Sequence, residues 1–253
     1  MSDEELKDAA GGPLDRYCDP KTLAYVGMMV RQRLSAIPGV DRVDVPGADM
    51  FIVPGFLTRR DCKAIAQVIN SRAVPSTLYR GADRPGMRTS FTHHFDRDDP
   101  LTVDVEAYIS ELIGIDNDYS EAMQGQRYQV GQQYRHHYDF FPTGEGYWQH
   151  EAVRGGQRTW TAMVSLTEPG EGGETDFPRL GIALRQQAGT LILWNNMTAD
   201  GRPNPNTLHA GKARDQAYHH EMVPAGALAH PESGQSTRLL TVNRSADGGR
   251  DRD

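Results

Sequence analysis

From about residue 125 onward the chain is cut into short segments rich in β-branched, aromatic or aliphatic residues, each closed by turn chemistry. The segments are Arg127–Tyr134, Thr159–Thr167, Gly189–Asn195 and Thr237–Asn243. Pro169-Gly170, Gly172-Gly173, Asp200-Gly201 and Pro203-Asn204 punctuate them. Twenty-six glycines and fifteen prolines among 253 residues fit a fold of many turns. The first half reads differently. Apolar residues from Pro20 to about Ile37 (Leu23, Val26, Met29, Val30, Leu34) fall at helical spacing, a second helix is expected from an N-cap at Thr58 through Asn70, and a third from about Pro100 to Ile113, closed near Gly114. Between the first two, Arg42 to Phe56 reads as one or two strands. Helices first and strands later predict an α-helical layer buttressing an all-β barrel or jelly roll.

Residues 1–20 read as an acidic leader, 21–124 as a helical and strand support region, 125–246 as the β core with an inserted loop at 217–236, and 247–253 as a polar tail. A formal charge of −7 argues against a general nucleic-acid binder, which needs a basic surface. No run approaches the ~20 apolar residues of a membrane span, and Met1 to Ala10 lacks the apolar core of a signal peptide. Cys18 and Cys62 are too few for a disulfide framework or a cysteine metal site. A cytoplasmic protein is expected; oligomeric state is left open.

Chemistry concentrates in Tyr128-Gln-Val-Gly-Gln-Gln-Tyr134-Arg-His-His137-Tyr-Asp139. On an extended strand, i and i+2 project to one face, so the His137 imidazole and the Asp139 carboxylate can reach one ion. Such a pair also suits a surface strand. A third ligand from a distant strand, for which His209 in Asn206-Thr-Leu-His-Ala-Gly211 is the candidate, would complete a 2-His-1-carboxylate set with open positions, the pattern of non-haem Fe(II) oxygenases. His136 should point to the opposite strand face, and the pairs His93-His94 and His219-His220 have no carboxylate at ligand spacing.

Four blocks in order resemble the prolyl 4-hydroxylase branch of the Fe(II)/2-oxoglutarate oxygenases: Tyr128 through Phe141; Gly155-Gly156-Gln157-Arg158 leading into Thr159–Leu166; Glu171-Gly172-Gly173-Glu174-Thr175-Asp176-Phe177-Pro178; and Gly189–Asn195 followed by Leu208-His209-Ala210-Gly211. Met87-Arg88-Thr89-Ser90 resembles the family's N-terminal supporting region. The resemblance implies a double-stranded β-helix flanked by N-terminal helices. It implies Fe(II) on His137, Asp139 and His209, with 2-oxoglutarate and O2 as cosubstrates and ascorbate as reductant. It assigns Tyr128 and Thr175 to 2-oxoglutarate, and Tyr134 and Arg158 to a peptide substrate.

One departure stands out. The family's lysine, ten residues after the distal histidine, is replaced here by His219. The distal carboxylate of 2-oxoglutarate needs a buried cation. Arg238, in the strand-like Thr237–Asn243, is the first choice because its planar fork suits a carboxylate, and His219 is the second. The expected activity is hydroxylation of a prolyl residue in a peptide or protein. The alternatives are the same chemistry on a free amino acid or other small molecule, and a catalytically silent metal- or peptide-binding domain.

Overall fold

The computed structural model describes residues 19–77, 86–154, 156–168 and 172–211. Asp19 caps the first helix, α1 (Pro20–Ala36), by accepting from Thr22 N at 3.0 Å and Thr22 Oγ1 at 2.7 Å, and Pro20 fits the first turn, where no N–H partner is needed. Thr58 caps α2 (Arg59–Arg72) through Asp61 N. The third helix, α3 (Val103–Ile113), starts later than the expected Pro100. The backbone carbonyl of Asp99 accepts from both Thr102 N and Val103 N, so residues 99–102 are spent in a turn. Gly114 ends α3 in the left-handed conformation, φ 74°, which costs glycine little.

Strands β1 (Asp41–Arg42), β2 (Met50–Val53), β7 (Trp160–Val164) and β10 (Leu191–Asn195) form one antiparallel sheet in the order β1-β2-β10-β7. A second, ordered β6-β11-β8-β9, contains β6 (Tyr134–His137), β8 (Thr175–Phe177), β9 (Ile182–Leu184) and β11 (His209–Gly211). Strands β3 (Val74–Pro75), β4 (Phe91–His94) and β5 (Gln124–Arg127) make a third. The period-2 alternation of β10 shows how the layers pack. Leu191 and Leu193 join Phe51, Trp160 and the helical residues Leu34, Ile65 and Ile109 in one apolar cluster. Ile192 and Trp194 turn the other way, onto Phe177, Met50 and Met163. Every residue of β7 and β10 is buried because helices cover one face of that sheet and the second sheet covers the other. The molecule is therefore mainly β, a jelly-roll core flanked by N-terminal helices.

Sequence pattern and structure part elsewhere as well. Arg127–Tyr134 is not one strand: β5 ends at Arg127, a turn follows through Gly131 (φ 77°), and β6 begins at Tyr134. Gln132 N donates to Gln129 O and Gln129 N to Gln132 Oε1, closing that turn on side-chain chemistry that strand propensity ignores. A short helix, α4 (Trp148–Arg154), was not foreseen; Trp148 and Ala152 pack on Phe141. Thr237–Asn243 and the loop 217–236 lie outside the described residues. Among the described residues, no helix is long and apolar enough to cross a membrane.

Candidate active site

β11 lies between β6 and β8, and its register sets His209 directly opposite His137. β6 ends at His137, so Asp139 does not share the strand as its spacing suggests; it lies just beyond, in a bend that brings its carboxylate round to the same place. Asp139 Oδ1 is 3.5 Å from His137 Nε2 and 3.6 Å from His209 Nε2. One ligand atom from each of the three residues lies within 4.8 Å of the others.

The surroundings fix how each donor is offered. His137 Nδ1 is 2.9 Å from Arg135 O, and His209 Nδ1 is 2.9 Å from Thr207 O. A carbonyl only accepts, so each Nδ1 donates to it, and in the neutral ring Nε2 is left to present a lone pair. Asp139 Oδ2 accepts from Thr161 Oγ1 at 2.7 Å, and that hydroxyl accepts from Asn196 Nδ2 at 2.8 Å, which leaves Oδ1 toward the histidines. His209 is 1% exposed and ringed by Trp194 at 5.1 Å, Phe177 at 5.4 Å and His137 at 4.2 Å. Its Nε2 is a buried polar atom with no hydrogen-bond partner. Such an atom is costly unless something occupies it, and two imidazole nitrogens with one singly offered carboxylate oxygen fit a divalent ion such as Fe(II).

Charge follows the same geometry. Burial alone would raise the Asp139 carboxyl, but the imidazoles of His209 and His137 and the Thr161 hydroxyl outweigh it and hold it well below its ordinary value. Burial pulls His209 down to about 4, against the pull of Asp139, so the imidazole is neutral and able to ligate at neutral pH.

The two cosubstrate candidates on described residues meet around Gly211. Tyr128, buried, lies against its backbone and donates from its hydroxyl to Gln126 Oε1 at 2.9 Å. Thr175, also buried, is the cross-strand partner of Gly211 on β8. Arg238 and His219 lie outside the described residues. Tyr134 stacks on His137 with centroids 3.5 Å apart and planes 13° from parallel, and burial pushes its hydroxyl up to about 12. Arg158 reaches Asp139 O at 3.5 Å through Nη1, holds Glu121 in a two-pronged ion pair, and lies 4.4 Å over the Phe141 ring.

Several supporting residues escape sequence reasoning. Glu121 and Asn196 lie outside the recognised blocks, and Thr161, inside one, was given no role there. Gln157 belongs to a recognisable block, yet only the structure shows its work: its amide bonds Phe141 N at 2.6 Å and Phe141 O at 2.8 Å, pinning the chain just after Asp139. His136 points away as expected and meets Asp176 at 3.3 Å. His93 sits on β4, edge-on to Phe95 at 4.6 Å.

Comparison with known proteins bears on the same segment. The family model of the 2OG-Fe(II) oxygenase superfamily matches residues 123–227, which contain the triad. Over that segment the chain is similar to this superfamily. It is 27% identical over 182 residues to probable prolyl 4-hydroxylase 10 of Arabidopsis thaliana, covering 62% of this chain and 61% of the relative. Prolyl 4-hydroxylase 5 of the same plant is 30% identical over 178 residues, 68% of this chain and 57% of that one. The chain thus spans about three fifths of the length of these curated relatives. Among solved structures of the superfamily's fold, the 2OG complex of viral collagen prolyl hydroxylase from Paramecium Bursaria Chlorella virus-1 aligns with a TM-score of 0.52 at 24% identity, over 70% of this chain and 96% of that one.

Proposed function

We propose that this chain is an Fe(II)- and 2-oxoglutarate-dependent dioxygenase that hydroxylates a prolyl residue in a peptide or protein. The carrying observation is the orphaned, buried Nε2 of His209 facing His137 Nε2 and Asp139 Oδ1. The names of its relatives support the prolyl substrate.

His137, Asp139 and His209 would hold the iron. When bound, iron with 2-oxoglutarate and O2 supplies oxidative decarboxylation to succinate and CO2 coupled to hydroxylation of a C–H bond. The protein supplies orientation and a dry site. Tyr128 and Thr175, buried around Gly211, are placed to hold the cosubstrate. Arg238 is proposed to pair with its far carboxylate, since a buried carboxylate without a cation is costly; His219 is the second choice. Tyr134 and Arg158, beside the triad, would orient the peptide, and Phe177 and Trp194 exclude water behind His209. Ascorbate, keeping the iron ferrous, belongs to the same proposal.

The deciding experiment is anaerobic. Fe(II) followed by 2-oxoglutarate should give the visible charge-transfer band of a chelated complex, absent in His137→Ala. Succinate release should then rise with proline-containing peptides more than with free proline. Folded protein that gives no band and binds no 2-oxoglutarate by calorimetry would refute the cofactor assignment; preference for free proline would refute the peptide. Arg238→Ala should raise the apparent KM for 2-oxoglutarate more than His219→Ala does, and the reverse ranking would move the anchor to His219.

A further inference from the structure

A cation and two rings form a column that ends on the triad. The guanidinium of Arg88 lies 4.8 Å over the Tyr134 ring, and Tyr134 in turn stacks on His137 at 3.5 Å. The backbone enforces the spacing, because Arg88 bridges Tyr134 as an isolated β-pair and Arg135 N donates to Met87 O at 2.9 Å. Hydroxyls orient the guanidinium: Nε donates to Ser90 Oγ and Nη2 to Thr92 Oγ1, both at 3.0 Å. Ser76 Oγ ties these together, at 2.8 Å from Ser90 and 2.7 Å from Thr92. Among the described residues Arg88 has no carboxylate partner that would draw it off the ring.

We infer that Arg88 is a positioning residue for the metal centre: held over the ring by Ser90 and Thr92, it presses Tyr134 against His137 and so fixes the imidazole that offers Nε2 to the ion. The His137 Nδ1 bonds Arg135 O, which leaves the ring's tilt about that bond to be set by its neighbours. His209 lies at 4.2 Å with its plane tilted by 56°, and the Tyr134 plane covers a face of the ring. A guanidinium can both stack on a ring and donate sideways to two hydroxyls; an ammonium cannot do both in one geometry. The inference rests on the metal reading of His137, Asp139 and His209.

The test is a Co(II) titration of the full metal-free chain, read by visible ligand-field absorption. Arg88→Met keeps the length of the side chain and removes the charge and the fork. It should melt near the wild type without metal, yet bind Co(II) about 10-fold more weakly, with an altered ligand-field spectrum. Tyr134→Phe keeps the plane and should bind like the wild type, while Tyr134→Ala should match Arg88→Met. Combining Arg88→Met with Tyr134→Ala should add nothing to Tyr134→Ala alone. Wild-type affinity and spectrum in Arg88→Met would overturn the inference and leave the metal reading standing. A wild type that ignores Co(II), or binds it equally after His137→Ala, would overturn both. Should Arg88→Met not fold, Thr92→Val replaces it, and an unchanged affinity and spectrum there overturns the inference.

Discussion

Thr161 donates its hydroxyl hydrogen to Asp139 Oδ2 across 2.7 Å and thereby decides which oxygen of that carboxylate faces the two histidines. Asn196, entirely buried, aims the hydroxyl from the other side at 2.8 Å. Thr161→Val keeps the shape and removes both bonds. Metal affinity should fall about 10-fold or more, as for other partners that orient a ligand. Calorimetric titration with a divalent ion checks this, and wild-type affinity would show that Asp139 orients itself.

Arg158 is the residue proposed to meet the peptide. It packs on Phe141 and pairs with Glu121 close to the triad, without belonging to it. Arg158→Gln should raise the KM for a proline-containing peptide about 10-fold, the cost of one charge-assisted hydrogen bond, and leave the KM for 2-oxoglutarate within about twofold. Steady-state kinetics with each substrate varied in turn separate the two. A change confined to 2-oxoglutarate would move Arg158 to the cosubstrate.

Acid should weaken the metal-free fold earlier than its carboxylates alone require. His209 titrates at about 4 when folded, against 6.5 in a free chain, so below 6.5 the unfolded chain takes up a proton that the fold refuses. Stability from this group is therefore intact above about pH 6.5 and declines until about pH 4. Asp139, depressed in the fold, adds its own loss only below its unfolded value of 3.8. Between pH 7 and 5, urea unfolding of the metal-free protein should lose about 2 kcal/mol, and His209→Gln should flatten that slope. A flat wild-type profile would contradict the burial of a neutral His209.

Gly201 sits at φ 78°, and a Cβ there would meet Pro20 O at 1.9 Å, against the first turn of α1. Gly201→Ala should cost about 2 kcal/mol or more and lower Tm by about 4–8 °C. Gly144→Ala, with nothing within 4 Å of the added carbon, should be close to neutral. Thermal melts of the two variants make the comparison.

How much of this was legible beforehand depended on range. The caps at Asp19 and Thr58 act within three residues of their own chain, so a local pattern reaches them; of the two, Thr58 was read as a cap. His137, Asp139 and His209 stood out because ordered blocks carried them, and the fold then placed them together. Strand alternation put Asp139 on β6, whereas the chain has already bent by that residue; two carboxylate oxygens with different partners can be met from a bend as well as from a strand. Glu121, Thr161 and Asn196 were unreadable for another reason. Their roles are hydrogen bonds across 22 to 37 residues, and nothing local in a threonine on a strand marks it as the one beneath a carboxylate.

His209 and His137 stand 72 residues apart in the chain and face each other across a single β-sheet rung. No partial structure lacking β11 can present both imidazoles, so the site is made only at the closing of that sheet. A divalent ion would then be a selective ligand of the finished barrel, and its free concentration would set the protein's melting temperature as well as its activity. Metal supply would act on how long such a chain survives, not only on how fast it works.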